Sequence, residues 1–563
     1  MIRSAIRFSA VCVLCCTVSV QADWSRFRGP NGSGISADGR PAPVAWSPSA
    51  NLKWKTALPG AGVSCPVVVG DRVYVTCYSG YGLDRENPGD MKDLKRHVVA
   101  VDRKGGSIVW SKTIDAVLPE DPYRGAGVPA HGYASNTPVS DGENLFVFLG
   151  KSGALAFDKS GKQLWQTNLG KESDPQRWGS ASSPILYKNL LIVPATAESE
   201  ALVALDKKTG KEVWRQEASG FSNSWCTPIL VEVAKDRTDL VIGVTQEIWG
   251  INPDTGKLRW YCEGAKSGSY CTSLVSLGDV VYGIEGRSGK SIAVRAGGKG
   301  DVTKTHVLWT GRDSARFGTP IVYKDRLYSF NGSVGTAIDI KTGKKVHQAR
   351  FKGGRGGAGG RRGGDYSSPV LSDGKLYYAR QSGDVFVVKA TDKLEPVAIN
   401  RVTADNEEFS ATPAISNGEV FLRSNKHLYC VAPMGQSVPP EEKIAAAPAA
   451  SEEGDEAEGE RGGRGRGRGG RGGRGGRGGF DLEQWFKQRD ENGDGKLSGD
   501  EISGRMRDRV GDIDTDKDGA ITLEEFRKGR SSMFGGRGRG GRGRGGDDGP
   551  SRPERPKRPP LET

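Results

Sequence analysis

Two stretches near the C terminus place oxygen donors at the spacing a hard cation needs. The first, Asp490–Glu501, reads DENGDGKLSGDE. Asp490, Asn492 and Asp494 stand at positions 1, 3 and 5, Gly495 at the sharp turn, the Lys496 carbonyl at 7, Ser498 at 9 and Glu501 at 12. The second, Asp514–Glu525, reads DTDKDGAITLEE. It repeats the pattern with Asp514, Asp516, Asp518, the Ala520 carbonyl, Thr522 and Glu525 around Gly519. Short oxygen-bearing side chains at alternate positions wrap an ion at about 2.3–2.6 Å, and a terminal glutamate closes the shell with both oxygens. Two Ca²⁺ sites are predicted. The second offers four carboxylates against three in the first, so it should bind more tightly. Leu497 and Ile521, both at position 8, predict a small β-bridge between the loops.

This is the EF-hand pattern twice over. Only Ile502–Ile513 separates the loops, which suggests a compact helical pair similar to dockerin-like or other short-linker bacterial modules. Arg489 stands before the first loop where an apolar residue is common. The pair is assigned to residues 480–529. Residues 435–479, acidic and then Arg-Gly-rich, and residues 530–563, Arg-Gly- and Pro-rich, cannot bury a core and are predicted to be disordered. The net charge of +13 is arranged in blocks. Asp481–Phe526 holds fourteen acids against seven bases, and Arg461–Gly479 holds seven arginines and no acid. The basic tract is therefore expected to lie on the empty acidic pair and to leave it when Ca²⁺ binds.

Little else carries chemistry. His97, His131, His306, His347 and His427 are scattered without metal spacing and read as surface residues; no nucleophile elbow, P-loop or zincin motif occurs. Cys65, Cys77, Cys226, Cys262, Cys271 and Cys430 are irregularly spaced, which leaves buried thiols or pairs such as Cys262–Cys271 and Cys226–Cys271 open. Trp178, Trp225 and Trp249 could stack on a ligand or fill blade interfaces. The leader MIRSAIRFSAVCVLCCTVSVQA has a basic start, an apolar run from Phe8 to Val20 and small residues at Val20-x-Ala22. It predicts a signal peptide over residues 1–22, cleaved near Ala22, and a secreted or periplasmic protein with no membrane span.

The scaffold is written as a repeat. A small residue, often Ser or Thr, precedes Pro and an apolar run in SCPVVV (Ser64), SNTPVS (Ser135), SSPILY (Ser182), WCTPIL (Trp225), FGTPIV (Phe317), SSPVLS (Ser367) and SATPAI (Ser410). YCTSLV (Tyr270) makes the eighth copy, with Ser where the others have Pro. Most copies lead into a second phrase, such as LAFDKSGKQLW or ALDKKTGKEVW. Four short strands with Gly, Asp and Lys turns fill each unit. Eight such units over residues 23–434 predict an all-β fold: an eight-bladed β-propeller of four-stranded antiparallel blades. Asp206 should cap a turn, Gly210 should supply positive φ, and Trp214 should fill the gap between blades. The eighth unit lacks an outer strand, and NLKWKT at Asn51–Thr56 is the spare that should complete it. Insertions at Tyr78–Arg96, Thr113–Tyr133 and Gly353–Gly364 should emerge on one face.

These units resemble pyrrolo-quinoline quinone (PQQ)-like repeats, as in the BamB-like propellers and the quinoprotein alcohol dehydrogenases. WSRFRGPNGSGIS at Trp24–Ser36 is similar to the start of secreted propellers of planctomycete type. The resemblance implies the propeller and admits two functions. One is a calcium-binding, non-enzymatic binding or scaffolding module, a monomer that meets a protein or an anionic cell-surface polymer. The alternative is a PQQ-dependent dehydrogenase. Such enzymes use a disulfide between adjacent cysteines against the quinone, and no mature Cys-Cys pair exists here, which favours the first. Sparse aromatic residues in the Arg-Gly tracts, together with the leader, argue against nucleic acid.

Overall fold

Short β-branched runs broken by Gly and Asp turns give each repeat four antiparallel strands. In the computed structural model these form eight sheets. The described residues are 23–125, 127–264, 268–285, 289–352, 365–439, 451–452, 486, 490, 492, 494–498, 514–525 and 557–562. The leader and the third insertion lie outside them, as does most of the linker. The chain forms two units, residues 1–455 with 555–563, and residues 456–554. The first unit is the predicted propeller. Its innermost strands begin just after the Pro phrase, as at Val67–Val69, Ile185–Tyr187 and Ile321–Tyr323.

Ring closure follows the sequence. Leu52–Ala57 pairs antiparallel with His427–Val431 and supplies the outer strand of blade eight. Trp54 is carried on this strand, so the N terminus locks the last blade.

The turn phrase proves to be an inter-blade joint. Asp206 accepts bonds from the Lys208 and Thr209 N–H groups at 3.2 and 2.9 Å, and Gly210 has φ 70°. The indole of Trp165, from the preceding blade, donates to the Lys207 carbonyl at 3.1 Å and covers Gly210, where a Cβ would lie 2.6 Å from the ring. The same joint links Trp54 to Arg103, Trp110 to Lys159, Trp214 to Pro253 and Trp309 to Ile340, at 2.7–3.1 Å. Trp260 departs from this rule. Blade five has no D-x-x-T-G turn to receive it, and its indole donates within its own blade to Asp239 at 2.7 Å.

The segment Trp24–Ser36 crosses one end of the central channel. Trp24 bridges Val68 and Ile35 bridges Leu371. Fully buried Arg28 donates to the carbonyls of Gly32, Ser33, Thr319, Pro320 and Pro369 at 2.7–3.2 Å. Arg26 reaches the Pro228 carbonyl at 3.0 Å. Two guanidinium groups thus tie blades four, six and seven to the N-terminal segment by backbone acceptors alone.

The six cysteines are free thiols, five of them buried, so neither open pairing is formed. At the other end of the sequence, Lys557–Glu562 does not follow the disorder expected of 530–563. It lies against blade four, where Leu561 forms a parallel bridge with Leu258. Arg558 and Glu562 each meet an opposite charge there, and Pro559 is buried. Ser451–Glu452 similarly pairs with the outer strand of blade six. No helix among the described residues is long and apolar enough to cross a membrane.

Candidate functional site

The residue before Pro in seven repeats, and Ser273 before Leu274 in the fifth, lines the channel, and its side chain acts on the neighbouring blade. Each backbone N–H at this position donates to the side chain of the equivalent residue one blade on. The circuit runs from Cys65 to Thr137, Ser183, Thr227, Ser273, Thr319, Ser368, Thr412 and back to Cys65. Seven steps are 2.9–3.0 Å. The eighth, Thr412 N–H to the Cys65 sulfur, is 3.3 Å. A buried N–H without a partner is costly, so each hydroxyl is needed by its neighbour. Burial pushes the Cys65 thiol up, and it stays protonated.

Above this ring the channel holds a cavity of about 160 Å³ with Phe27 among its lining. Its rim is aromatic. Trp178 and Trp225 meet with centroids 5.0 Å apart, and Phe317 stacks on Tyr366 at 4.5 Å. His131, Cys271 and the hydroxyl residues complete the lining, which contains no carboxylate among the described residues. His131 is not a surface histidine: its ring bonds to Ser135 Oγ at 2.6 Å and to the Trp178 carbonyl at 2.8 Å, and burial lowers its pKa, keeping it neutral. Trp249 is elsewhere, buried edge-on to Phe221 at 5.1 Å, and serves the core.

Two predicted insertions meet on the cavity side. Tyr78 and Tyr81 of the first pack with Tyr123 and Tyr133 of the second. The second insertion also seats Gly127 on Trp178, where a Cβ would lie 2.3 Å from the ring. The loops are thus a rigid support for the rim, not free excursions.

Beside the rim is a polar pocket of about 20 Å³, lined by Arg96, Glu120, Lys151 and Glu198 among others. That is room for about one water. Arg96 pairs with Glu120 at 2.7 Å, and both are buried. Glu198 is fully buried, one of its oxygens has no partner, and burial pushes its carboxyl up to about 8.

In the second unit the two acidic loops form the predicted bridge, with Lys496 opposite Thr522 and Leu497 opposite Ile521. Asp514, Asp516 and Glu525 each place a carboxylate oxygen within 4.8 Å of the others. One oxygen of buried Asp514 has no hydrogen-bond partner. Thr522 and Thr515 groups hold the Glu525 carboxyl down to about 2, so it is ionised. Lys496 reaches across to Asp518 at 2.6 Å. Asp490, Asn492, Asp494, Lys496 and Ser498 of the first loop are described, and Glu501 falls outside the described residues.

A family model described as outer membrane protein assembly factor BamB matches residues 91–218 and 156–439. The chain belongs to this BamB-like propeller family. An EF-hand model matches residues 482–503 and 511–529. Among curated proteins, a polyvinylalcohol dehydrogenase of Sphingopyxis sp. (strain 113P3) is 26% identical over 260 residues, covering 38% of this chain and 36% of that protein. One of Pseudomonas sp. is 25% identical over 269 residues, covering 40% and 37%. The match thus spans little more than a third of these relatives. A europium-containing methanol dehydrogenase has the same fold, with TM-score 0.51 at 13% identity, over 71% of this chain and 89% of that one.

Proposed function

We propose that this chain is a calcium-binding propeller that serves as a binding or scaffolding module in the periplasm or at the cell surface. The cavity supports this reading best. Its rim is aromatic and apolar, while the channel hydroxyls below are engaged in joining the blades. A PQQ-type quinone does not fit these residues. The volume is below the ~300 Å³ of the smallest ordinary small-molecule sites, and among the described residues the lining offers neither a carboxylate base nor carboxylates for a cation. The rim suits instead a flat or apolar group projecting from a larger partner. Calcium is assigned to Asp514, Asp516, Asp518, the Ala520 carbonyl, Thr522 and Glu525, and to Asp490, Asn492, Asp494, the Lys496 carbonyl, Ser498 and Glu501. Affinities of roughly 10⁻⁴–10⁻³ M are expected for an extracellular module.

One observation favours the alternative of an alcohol-oxidising enzyme: the relatives named polyvinylalcohol dehydrogenase. Mass spectrometry and absorbance of the purified protein, before and after incubation with PQQ, separate the two. The binding reading predicts no retained quinone and no alcohol-dependent dye reduction. It also predicts that Trp178→Ala and Trp225→Ala lower co-sedimentation with isolated envelope polymer or protein. Retained quinone with turnover would replace it.

A further inference from the structure

The C-terminal hexapeptide Lys557–Glu562 is seated in a built site on blade four. Its Arg558 meets both oxygens of Glu247, one of them at 2.6 Å, and lies 3.6 Å from the centre of the Tyr261 ring. Glu247 is only 2% exposed and also accepts from the Trp249 indole at 2.7 Å. Arg558 therefore supplies the counter-charge to a carboxylate that the seated peptide helps to cover. At the other end of the peptide, Glu562 accepts from Arg259 at 2.9 Å and from Asn252 at 2.6 Å. Its N–H donates to the Leu258 carbonyl at 2.7 Å, and the Gly220 N–H donates to the Lys557 carbonyl at 3.3 Å. Arg259 in turn is fixed by buried Asp239 at 2.7 Å. The site therefore reads a cation, a short Pro-Pro spacer and an anion, with backbone bonds at both ends. It lies beside Trp260, the indole that makes no joint with the next blade.

We propose that this edge of blade four is a docking site for an Arg-Pro-Pro-Leu-Glu segment, and that the chain's own C terminus occupies it. The chain thus meets the propeller at Ser451–Glu452 and again at Lys557–Glu562. Pro559 is buried but Leu561 stays exposed, so little of the seating is apolar. The segment's two charges meet two fixed opposite charges, and that match selects it.

Hydrogen exchange read by mass spectrometry on the full chain tests this. Substitutions confined to the tail leave the propeller sequence intact. The fragment covering 555–563 should exchange at least tenfold more slowly than the same synthetic peptide in solution. Arg558→Glu, and separately Glu562→Lys, should return it to the free-peptide rate. Excess synthetic peptide 551–563 should compete and deprotect it. Protection should not change on dilution, and light scattering should show a single chain. Free-peptide exchange in the unmodified chain would overturn the docking. Protection that survives both charge reversals would overturn the recognition chemistry. Protection lost on dilution together with a dimer mass would overturn docking within one chain, since the tail would then dock between copies.

Discussion

The joint between the closing strand and blade one can be tested by a paired substitution at Trp54 and Gly106. Trp54 is 8% exposed, donates to the Arg103 carbonyl at 2.9 Å and lies against Gly106. An alanine at 106 would place its Cβ 2.7 Å from the indole, at a backbone φ of 79°. Two costs add. The left-handed backbone costs about 1–2 kcal/mol with a Cβ, and forcing a methyl into a filled contact costs about 1–3 kcal/mol. Gly106→Ala should thus destabilise by about 2–5 kcal/mol. Gly70 separates the terms, because it has φ 54° and nothing within 4 Å of its Cβ position. Gly70→Ala should show the backbone term alone. Trp54→Ala should cost about 3–5 kcal/mol, and in that background Gly106→Ala should fall to the Gly70→Ala value. Urea denaturation followed by circular dichroism measures all four differences. If Gly106→Ala costs the same, within about 0.5 kcal/mol, with and without Trp54, the indole is not what fills the joint and the reasoning fails.

Other outcomes are expected on the same grounds. Thr137→Val removes the acceptor of the Cys65 N–H and should cost about 1–3 kcal/mol, whereas Thr137→Ser should cost less than half as much by the same denaturation assay. Glu198 has a folded-state pKa of about 8 against an ordinary 4.5, so between these values the unfolded chain releases a proton that the folded chain keeps. Its contribution therefore lowers stability as pH rises from about 5 to 8, by at most about 1.4 kcal/mol per pH unit. Glu198→Gln should flatten that slope, and an unchanged slope would count against the burial argument. Glu525→Gln removes one ionised oxygen from the cluster with Asp514 and Asp516 and should weaken Ca²⁺ binding at that loop at least tenfold in calorimetric titration. The double variant Glu501→Gln/Glu525→Gln should titrate no heat in the millimolar range.

The ring of blades was legible because the repeat carries its own geometry. Asp206, Gly210 and Trp214 announce a turn and a wedge, and the missing outer strand of unit eight pointed to Trp54. The EF-hand loops were legible because the motif is local: its oxygen-bearing residues lie within one run of the sequence. What stayed hidden depends on partners far away in sequence. The small residue before Pro reads only as part of the repeat phrase, and its acceptor role appears only when eight copies are placed in a circle. The receiving blade decides where Trp260 points, so its own segment gives no sign of the inward turn. The C-terminal peptide reads as disordered by composition, and the reason it docks is Glu247, some 311 residues earlier. The first two insertions were read as sharing a face and His131 as a surface residue, and the service of both to Trp178 depends on a contact between two loops.

The N-terminal closure also sets an order of events. Residues made first are satisfied last. Arg28 waits for Thr319 and Pro369, 291 and 341 residues downstream, and Leu52–Ala57 waits for His427–Val431. At about 5–20 residues per second of synthesis, the closing strand spends tens of seconds as an unpaired edge carrying a buried-type tryptophan. Contacts of such long sequence separation also slow folding itself. The nascent chain therefore presents its opening sixty residues to whatever holds unfinished chains unfolded. Loss of that escort should expose this edge to aggregation before any other part of the ring.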